Sequence, residues 1–277
     1  MLFPRTTVGG LSLSRLIVGT NWFLGYSHYS VAKDKFIKDT QTRNKITDIL
    51  EVFLKAGIDT VMGPMLPLLT DAVQEAKQRS GKDIQLILTP WFNILPGGDP
   101  DNEPEAVIAQ CKEAGASICM PHQMVTDALM DRMHRKIRDI DKYAHLIRQY
   151  DMIPGLSTHM PETVVYADET GVDVETYIQI YNAIGFLMQV ETDWIMKIIK
   201  NAKKPVMTIK PLAAGRLLPI SGLAFAWNTI RQQDMVTIGT TTPDEAREVI
   251  DISLELLNQR IPDYELQRTR SKSSLTS

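Results

Sequence analysis

Short apolar runs alternate along the chain with longer stretches whose apolar residues fall at helical spacing. The runs cover residues 15–20, 58–62, 84–89, 117–120, 152–156, 186–190, 205–209 and 235–239. Each is brief and mostly apolar, as a parallel strand covered on both faces should be. Helical patterns lie between them, at 44–56, 68–79, 104–114, 125–150, within 161–183, and at 193–202, 220–233 and 243–259. In the first, Ile46, Ile49, Leu50, Phe53 and Leu54 recur with the period of a helix that buries one stripe. Gly57 and Gly115 stand where a glycine closes a helix just before a strand. Eight such strand–helix units predict a (β/α)8 TIM barrel. The competing architecture, a doubly wound open sheet, usually carries a glycine-rich dinucleotide loop after its first strand, and Gly19-Thr20-Asn21-Trp22 is not one. Residues 6–14 alternate about Gly9-Gly10, a hairpin pattern suited to plugging the N-terminal end of the barrel. The expectation is one α/β domain over 1–265 and a polar tail over 266–277.

Composition narrows the partners. The chain has 277 residues, 44% of them hydrophobic, which suffices for a large core, and a formal net charge of -3. Nothing in that balance calls for nucleic acid or an anionic membrane. No apolar run reaches the roughly 18 residues that a membrane helix needs, and the N-terminus lacks a signal-peptide core. A cytoplasmic protein acting on a small molecule is the expectation, with the oligomeric state open. Cys111 and Cys119 lack metal-ligand spacing and fit two buried, reduced thiols.

In a TIM barrel, chemistry sits where strands end and βα loops begin. Those positions carry Asn21, Trp22 and His28 after the first run and Asp59 in the second. Thr89, Trp91 and Phe92 close the third, His122 follows the fourth, and His159 follows the fifth. Gln189 and Glu191 end the sixth, Lys210 the seventh, and Thr240, Thr241 and Thr242 the eighth. His134 and His145 fall in a charged helical stretch and read as surface residues. His122, His159 and Glu191 could ligate a divalent metal, although no short-range ligand motif supports it. Alternatively they shuttle protons without one. Lys210 could orient an anion or, if burial lowers its pKa, form a Schiff base. Trp22, Trp91 and Phe92 are candidate pocket walls, and equally plausible core residues.

The last unit has its own local physics. Thr242 is a good N-cap, Pro243 suits the first helical position, and Glu245 completes a capping box. The helix start, Gly239 and the three threonines form an anion-binding arrangement, with Arg247 one turn on. The seventh loop adds Lys210, Gly215 and Arg216. Asp244 and Glu245 already complement the helix dipole, which argues against an added anion.

In order and spacing, several segments resemble the aldo/keto reductase superfamily. VGGLSLSRLIVGT resembles its N-terminal hairpin and first strand, and AGIDT at 56–60 the motif carrying its catalytic aspartate. GLSTH at 155–159, Gln189-Val190-Glu191 and KPLAAGRL at 210–217 resemble its fifth, sixth and seventh strand ends. IGTTTPDEAREVI resembles the loop and helix that hold the cofactor phosphate. The resemblance implies NADP as cofactor, Asp59 at the catalytic aspartate position, His122 near that of the histidine, and Gln189 close to the nicotinamide. The family's tyrosine should follow Asp59 within a few residues, but the chain reads Val61-Met62-Gly63-Pro64-Met65. Its lysine should end the third strand, where Thr89-Pro90-Trp91 stands. Without that pair the usual proton donor is missing. The stretch 19–28 further resembles a branch of these proteins with a glycine, asparagine and histidine loop, which favours Asn21 and His28 as site residues.

Three functions remain open from the sequence. The first is an enzyme acting on a small polar carbonyl or hydroxyl compound, with a sugar or sugar acid among the candidates. It would use His122, His159 and Glu191 for acid–base chemistry of lyase or isomerase type, with or without a metal. The second is an NADP-dependent reductase with a rebuilt proton donor. The third is a non-catalytic metabolite-binding barrel.

Overall fold

The computed structural model describes residues 2–264, 266, 267, 272 and 275, so most of the expected tail lies outside the described residues. Strands β1 (Arg5–Val8) and β2 (Leu11–Ser14) form the expected antiparallel hairpin. Next come β3 (Leu16–Gly19), helices α1 (Val31–Thr40) and α2 (Arg43–Lys55), β4 (Thr60–Gly63), α3 (Pro67–Ser80), β5 (Gln85–Leu88), α4 (Pro104–Glu113) and β6 (Ala116–Cys119). Helix α5 (Gln123–Thr126), a small hairpin of β7 (Met130–Asp131) and β8 (Lys136–Ile137), and α6 (Ile140–Gln149) occupy the stretch 125–150, read from the sequence as one helical segment or two helices. Then follow β9 (Ile153–Pro154), β10 (Leu156–Ser157), α7 (Glu162–Thr170), β11 (Tyr177–Ile180), α8 (Thr192–Asn201), β12 (Val206–Ile209), α9 (Pro219–Thr229), β13 (Met235–Gly239) and α10 (Pro243–Leu257).

The parallel sheet runs in the order β10-β11-β12-β13-β3-β4-β5-β6-β9. Only Gly155 separates β9 from β10, so both ends of that order belong to one bent strand and eight strand positions close the ring. Gly155 is required there, because a Cβ would lie 2.8 Å from the Met120 side chain and 2.9 Å from that of Thr176. The barrel interior is a separate apolar cluster formed by Ile17, Met62, Ile87, Ile118, Met120, Ile178, Met207 and Met235. Val8 and Leu13 of the hairpin join it, so the hairpin seals the N-terminal end. A second cluster packs the outer strand faces against the helices.

One strand differs from the sequence expectation. The sixth barrel strand is β11, not residues 186–190, which lie in the loop between β11 and α8. β11 pairs in register with β12 from Tyr177↔Val206 to Ile180↔Ile209. Tyr177, Ile178 and Ile180 are aromatic or β-branched and so suit a pleated surface, whereas Leu187 and Met188 are neither. Asn182, fully buried, fixes the loop: its Nδ2 donates to the Phe186 carbonyl at 3.0 Å, and its Oδ1 accepts the Phe186 N–H at 2.8 Å. Among the described residues no helix is long and apolar enough to cross a membrane. Both cysteines are buried and free.

Candidate functional site at the barrel mouth

Four cation-capable side chains leave four different strand ends at the C-terminal mouth. They are His28 after β3, His122 after β6, His159 after β10 and Lys210 directly after β12. They lie close enough to act on one another. The charges of Lys210, His122 and His28 all reach the His159 ring, and that of Lys210 reaches His122 and His28. Burial, with these like charges added, pushes His159 down to about 4. Burial alone lowers Lys210 to about 8. His122 and His28 are also lowered, first by burial and then by Lys210. Among the described residues, Asp34 is the carboxylate that opposes this trend, acting on His28.

Each group is held by its loop. His122 Nδ1 accepts the Met124 N–H at 3.3 Å, which leaves the ring proton on Nε2. His159 is anchored through its backbone, whose N–H donates to Asp127 Oδ2 at 3.0 Å. The Thr158 hydroxyl donates to the other Asp127 oxygen and accepts the Met160 N–H at 2.9 Å. Burial raises the Asp127 carboxyl, although these hydrogen bonds pull the other way. Lys210 has a left-handed backbone (φ 60°), as do Ala213, Ala214 and Gly215 in the same loop. Such conformations cost L-residues energy and collect at functional loops. His28 is left-handed as well (φ 56°).

Other expected site residues lie elsewhere. Asp59 precedes β4 at its N-terminal end, where it pairs with Arg5 of the plugging hairpin at 2.9 Å. It is therefore at the opposite end of the barrel from His122. Its neighbour Thr60 accepts the Ser14 N–H, so this motif ties the hairpin to the barrel. Glu191 is an exposed residue that starts α8, and Gln189 is exposed in the loop before it. Both were placed by the mistaken sixth strand. The expected metal triad is accordingly not assembled, and among the described residues no group of three or more His, Cys, Asp or Glu could hold a metal ion. The strand end where the resemblance calls for a tyrosine carries Gly63 instead, packed so tightly that a Cβ would strike the Thr20 hydroxyl.

Trp22 is half-buried over two glycines, since a Cβ at Gly239 would lie 2.7 Å from its ring and one at Gly215 3.6 Å. It closes the mouth between the first, seventh and eighth loops, while Asn21 beside it is exposed. Phe92 is fully buried and packs on Tyr143, a core role, whereas Trp91 is exposed and lines a cleft of the third loop with Met124. Arg216 stacks over Phe186 at 4.1 Å and faces Tyr29 at 5.9 Å, bridging three loops.

The start of α10 has the expected cap: Thr242 accepts the Glu245 N–H at 3.1 Å. Glu245 Oε2, however, accepts both the Thr241 N–H (2.6 Å) and the Thr241 hydroxyl (2.9 Å). The chain's own carboxylate thus sits where an anion was expected, and Arg247 is engaged by Asp244. A phosphate does not fit there while Glu245 holds Thr241. Around Lys210 the fit is better: its ammonium has no hydrogen bond or ion pair among the described residues, and the buried Thr240 hydroxyl lacks a partner.

Sequence reasoning missed Asp127 and Asn182. Asp127 lay inside a stretch that looked helical, and Asn182 followed a run not recognised as a strand. Asp127 is revealed by its contacts with Thr158 and His159, distant in sequence, and Asn182 by the local turn it makes with Phe186.

No protein-family description matches the chain, and no curated protein sequence matches it. Solved structures do match over almost the whole length. A Pseudomonas aeruginosa protein classed with the aldo-keto reductases superposes with a TM-score of 0.66 at 13% identity, covering 91% of this chain and 96% of its own. An aldo/keto reductase from Brucella melitensis gives 0.58 at 14% identity, over 93% and 98%. An aldo-keto reductase from Klebsiella pneumoniae, solved in complex with NADPH, gives 0.57 at 13% identity, over 96% and 98%. The hairpin-plugged barrel is therefore the fold of the aldo/keto reductases, at low sequence identity to them.

Proposed function

We propose that this chain is an oxidoreductase that interconverts a small polar carbonyl compound and its alcohol with a nicotinamide cofactor, NADP(H) being the one bound in a structural relative. The observation that carries this reading is the convergence of His28, His122, His159 and Lys210 at the functional mouth of an aldo/keto reductase barrel. The lyase or isomerase chemistry considered from the sequence finds no support in the fold, and Glu191, on which it leaned, is an exposed residue capping α8.

Thr240, whose buried hydroxyl has no hydrogen-bond partner, is suited to hold a cofactor phosphate. A bound nicotinamide supplies or accepts the hydride at the carbonyl carbon. The chain's own residues handle the proton. Reduction needs an acid at the carbonyl oxygen, and the family's tyrosine position offers none. Lys210, at about 8, is mostly protonated at neutral pH yet acidic enough to give its proton up, which suits it to that role. His159, at about 4, stays neutral and can accept a hydrogen bond, while Lys210 regains its proton from solvent after turnover. His122 offers its Nε2–H to the substrate oxygen as a neutral donor. Trp22 shields the mouth from water on the side of Gly215 and Gly239.

The test is fluorescence titration with NADPH and NADH, followed by cofactor oxidation against a panel of small aldehydes, ketones and oxo acids. Micromolar binding and turnover that falls by about 10²- to 10⁴-fold in Lys210→Met are expected. Absence of binding at millimolar concentrations of both cofactors would overturn the reading.

A further inference from the structure

We propose that the eighth loop turns away a 2′-phosphate, so that the dinucleotide used by this chain is NAD(H) rather than NADP(H), with Glu245 as the residue that decides. The inference rests on the oxidoreductase reading and adds to it the choice of cofactor.

After the eighth strand of a TIM barrel, a phosphate is commonly held by free backbone amides and the positive end of the next helix. Here the chain itself uses up both attractions. Glu245 Oε2 accepts the Thr241 N–H at 2.6 Å and the Thr241 hydroxyl at 2.9 Å. Pro243 has no N–H, and the Glu245 N–H goes to the Thr242 hydroxyl at 3.1 Å. That leaves the amides of Thr242 and Asp244, and Asp244 brings its own carboxylate. Helix α10 carries Asp244, Glu245, Glu248, Asp251 and Glu255 against Arg247 alone, so its dipole is answered by its own acids. The loop is also gripped from behind. Gln41, which caps α1, donates its Nε2 to the Thr241 carbonyl at 2.7 Å. The N–H, hydroxyl and carbonyl of Thr241 are thus all taken by side chains from two helices, and a phosphate could enter only by breaking these bonds.

The cations around this loop are engaged. Arg247 pairs with Asp244, Arg43 pairs with Glu75 at 2.6 Å, and Lys45 donates to the Thr40 carbonyl at 2.7 Å. In the seventh loop, Arg216 lies over Phe186 at 4.1 Å and donates to the Ala213 carbonyl at 3.1 Å. A phosphate monoester carries about −1.5 to −2 charges near neutral pH. NADPH would set that charge against Glu245 and Asp244, whereas NADH sets a ribose hydroxyl there. A carboxylate accepts a hydrogen bond from a hydroxyl, while a phosphate calls for arginine. Glu245 Oε1 has no hydrogen bond among the described residues and is open to such a donor.

Fluorescence titration of the whole chain with NADH and NADPH, in low and in high salt, tests this. NADH should bind at least about tenfold more tightly than NADPH at low ionic strength. The ratio should shrink in about 0.5 M salt, because Glu245 and Asp244 are exposed and their repulsion is screened. Glu245→Gln removes the charge that opposes the phosphate, and Asp244→Asn releases Arg247 to meet it. Each should tighten NADPH by about threefold to tenfold, and NADH by less, with thermal melts showing that both variants are folded. Should either variant fail to fold, the ratio in the unmodified chain and its salt dependence still decide. Equal or tighter binding of NADPH by the unmodified chain overturns this inference and leaves the oxidoreductase reading standing. A preference for NADH that neither salt nor a folded variant alters overturns it as well, since its source would lie outside the charge of the eighth loop. Binding of neither dinucleotide at millimolar concentration overturns both.

Discussion

Asp127 Oδ2 accepts the backbone N–H of His159 at 3.0 Å, across 32 positions of sequence. Its other oxygen takes the Thr158 hydroxyl, so one carboxylate fixes the turn from which the His159 ring enters the mouth. Asp127→Ala should therefore cost about 1–3 kcal/mol of stability. It should also lower kcat by up to about 10²-fold through misplacement of the ring, with a smaller effect on cofactor binding. Comparison with Asp127→Asn, which preserves shape and one acceptor, separates positioning from gross unfolding in steady-state kinetics and thermal melts.

The mouth should make the protein sensitive to acid. His159 titrates at about 4 in the folded chain and near 6.5 when unfolded, so the unfolded state binds the proton first as pH falls. Stability from this group is intact above about 6.5 and is lost progressively toward 4, by about 2 kcal/mol once partial exposure is allowed for. Urea melts between pH 7.5 and 4.5 should show this slope, and His159→Gln should flatten it. A wild-type slope no steeper than that of the variant would contradict the assignment.

A second buried charge is purely architectural. Asp234, fully buried before β13, accepts from the Arg231 guanidinium at 2.7 and 2.8 Å and from the Val206 N–H at 2.9 Å. Asp234→Ala leaves Arg231 without its partner and should destabilise the chain by about 3–5 kcal/mol. Calorimetry would show a melting point many degrees lower, while any protein still folded should bind cofactor as before.

Glu245 governs the eighth loop. Glu245→Gln keeps the helix but weakens the hold on Thr241, at a cost of about 1 kcal/mol. If the cofactor phosphate lies against α10, as the family resemblance implies, the substitution should tighten NADPH more than NADH. Equal changes for both cofactors would place the phosphate elsewhere.

Periodicity made the barrel legible. Seven of the eight strands could be read because a strand covered on both faces must be apolar throughout, and the Gly9-Gly10 turn announced the plug. The sixth strand was misplaced because residues 177–180 and 186–190 are both short apolar runs, and only pairing with β12 distinguishes them. That error made Gln189 and Glu191 strand-end residues, whereas both are exposed in the loop between β11 and α8. Asp59 shows the complementary failure: a motif fixes residue types, but whether an aspartate lies at the top or the bottom of a strand depends on where hydrogen bonding with the neighbouring strands begins. His28, His122, His159 and Lys210 could be nominated from their positions after strands. That their charges act on one another was decided by the closure of the ring, because electrostatic interaction depends on distance through space and the sequence records only distance along the chain.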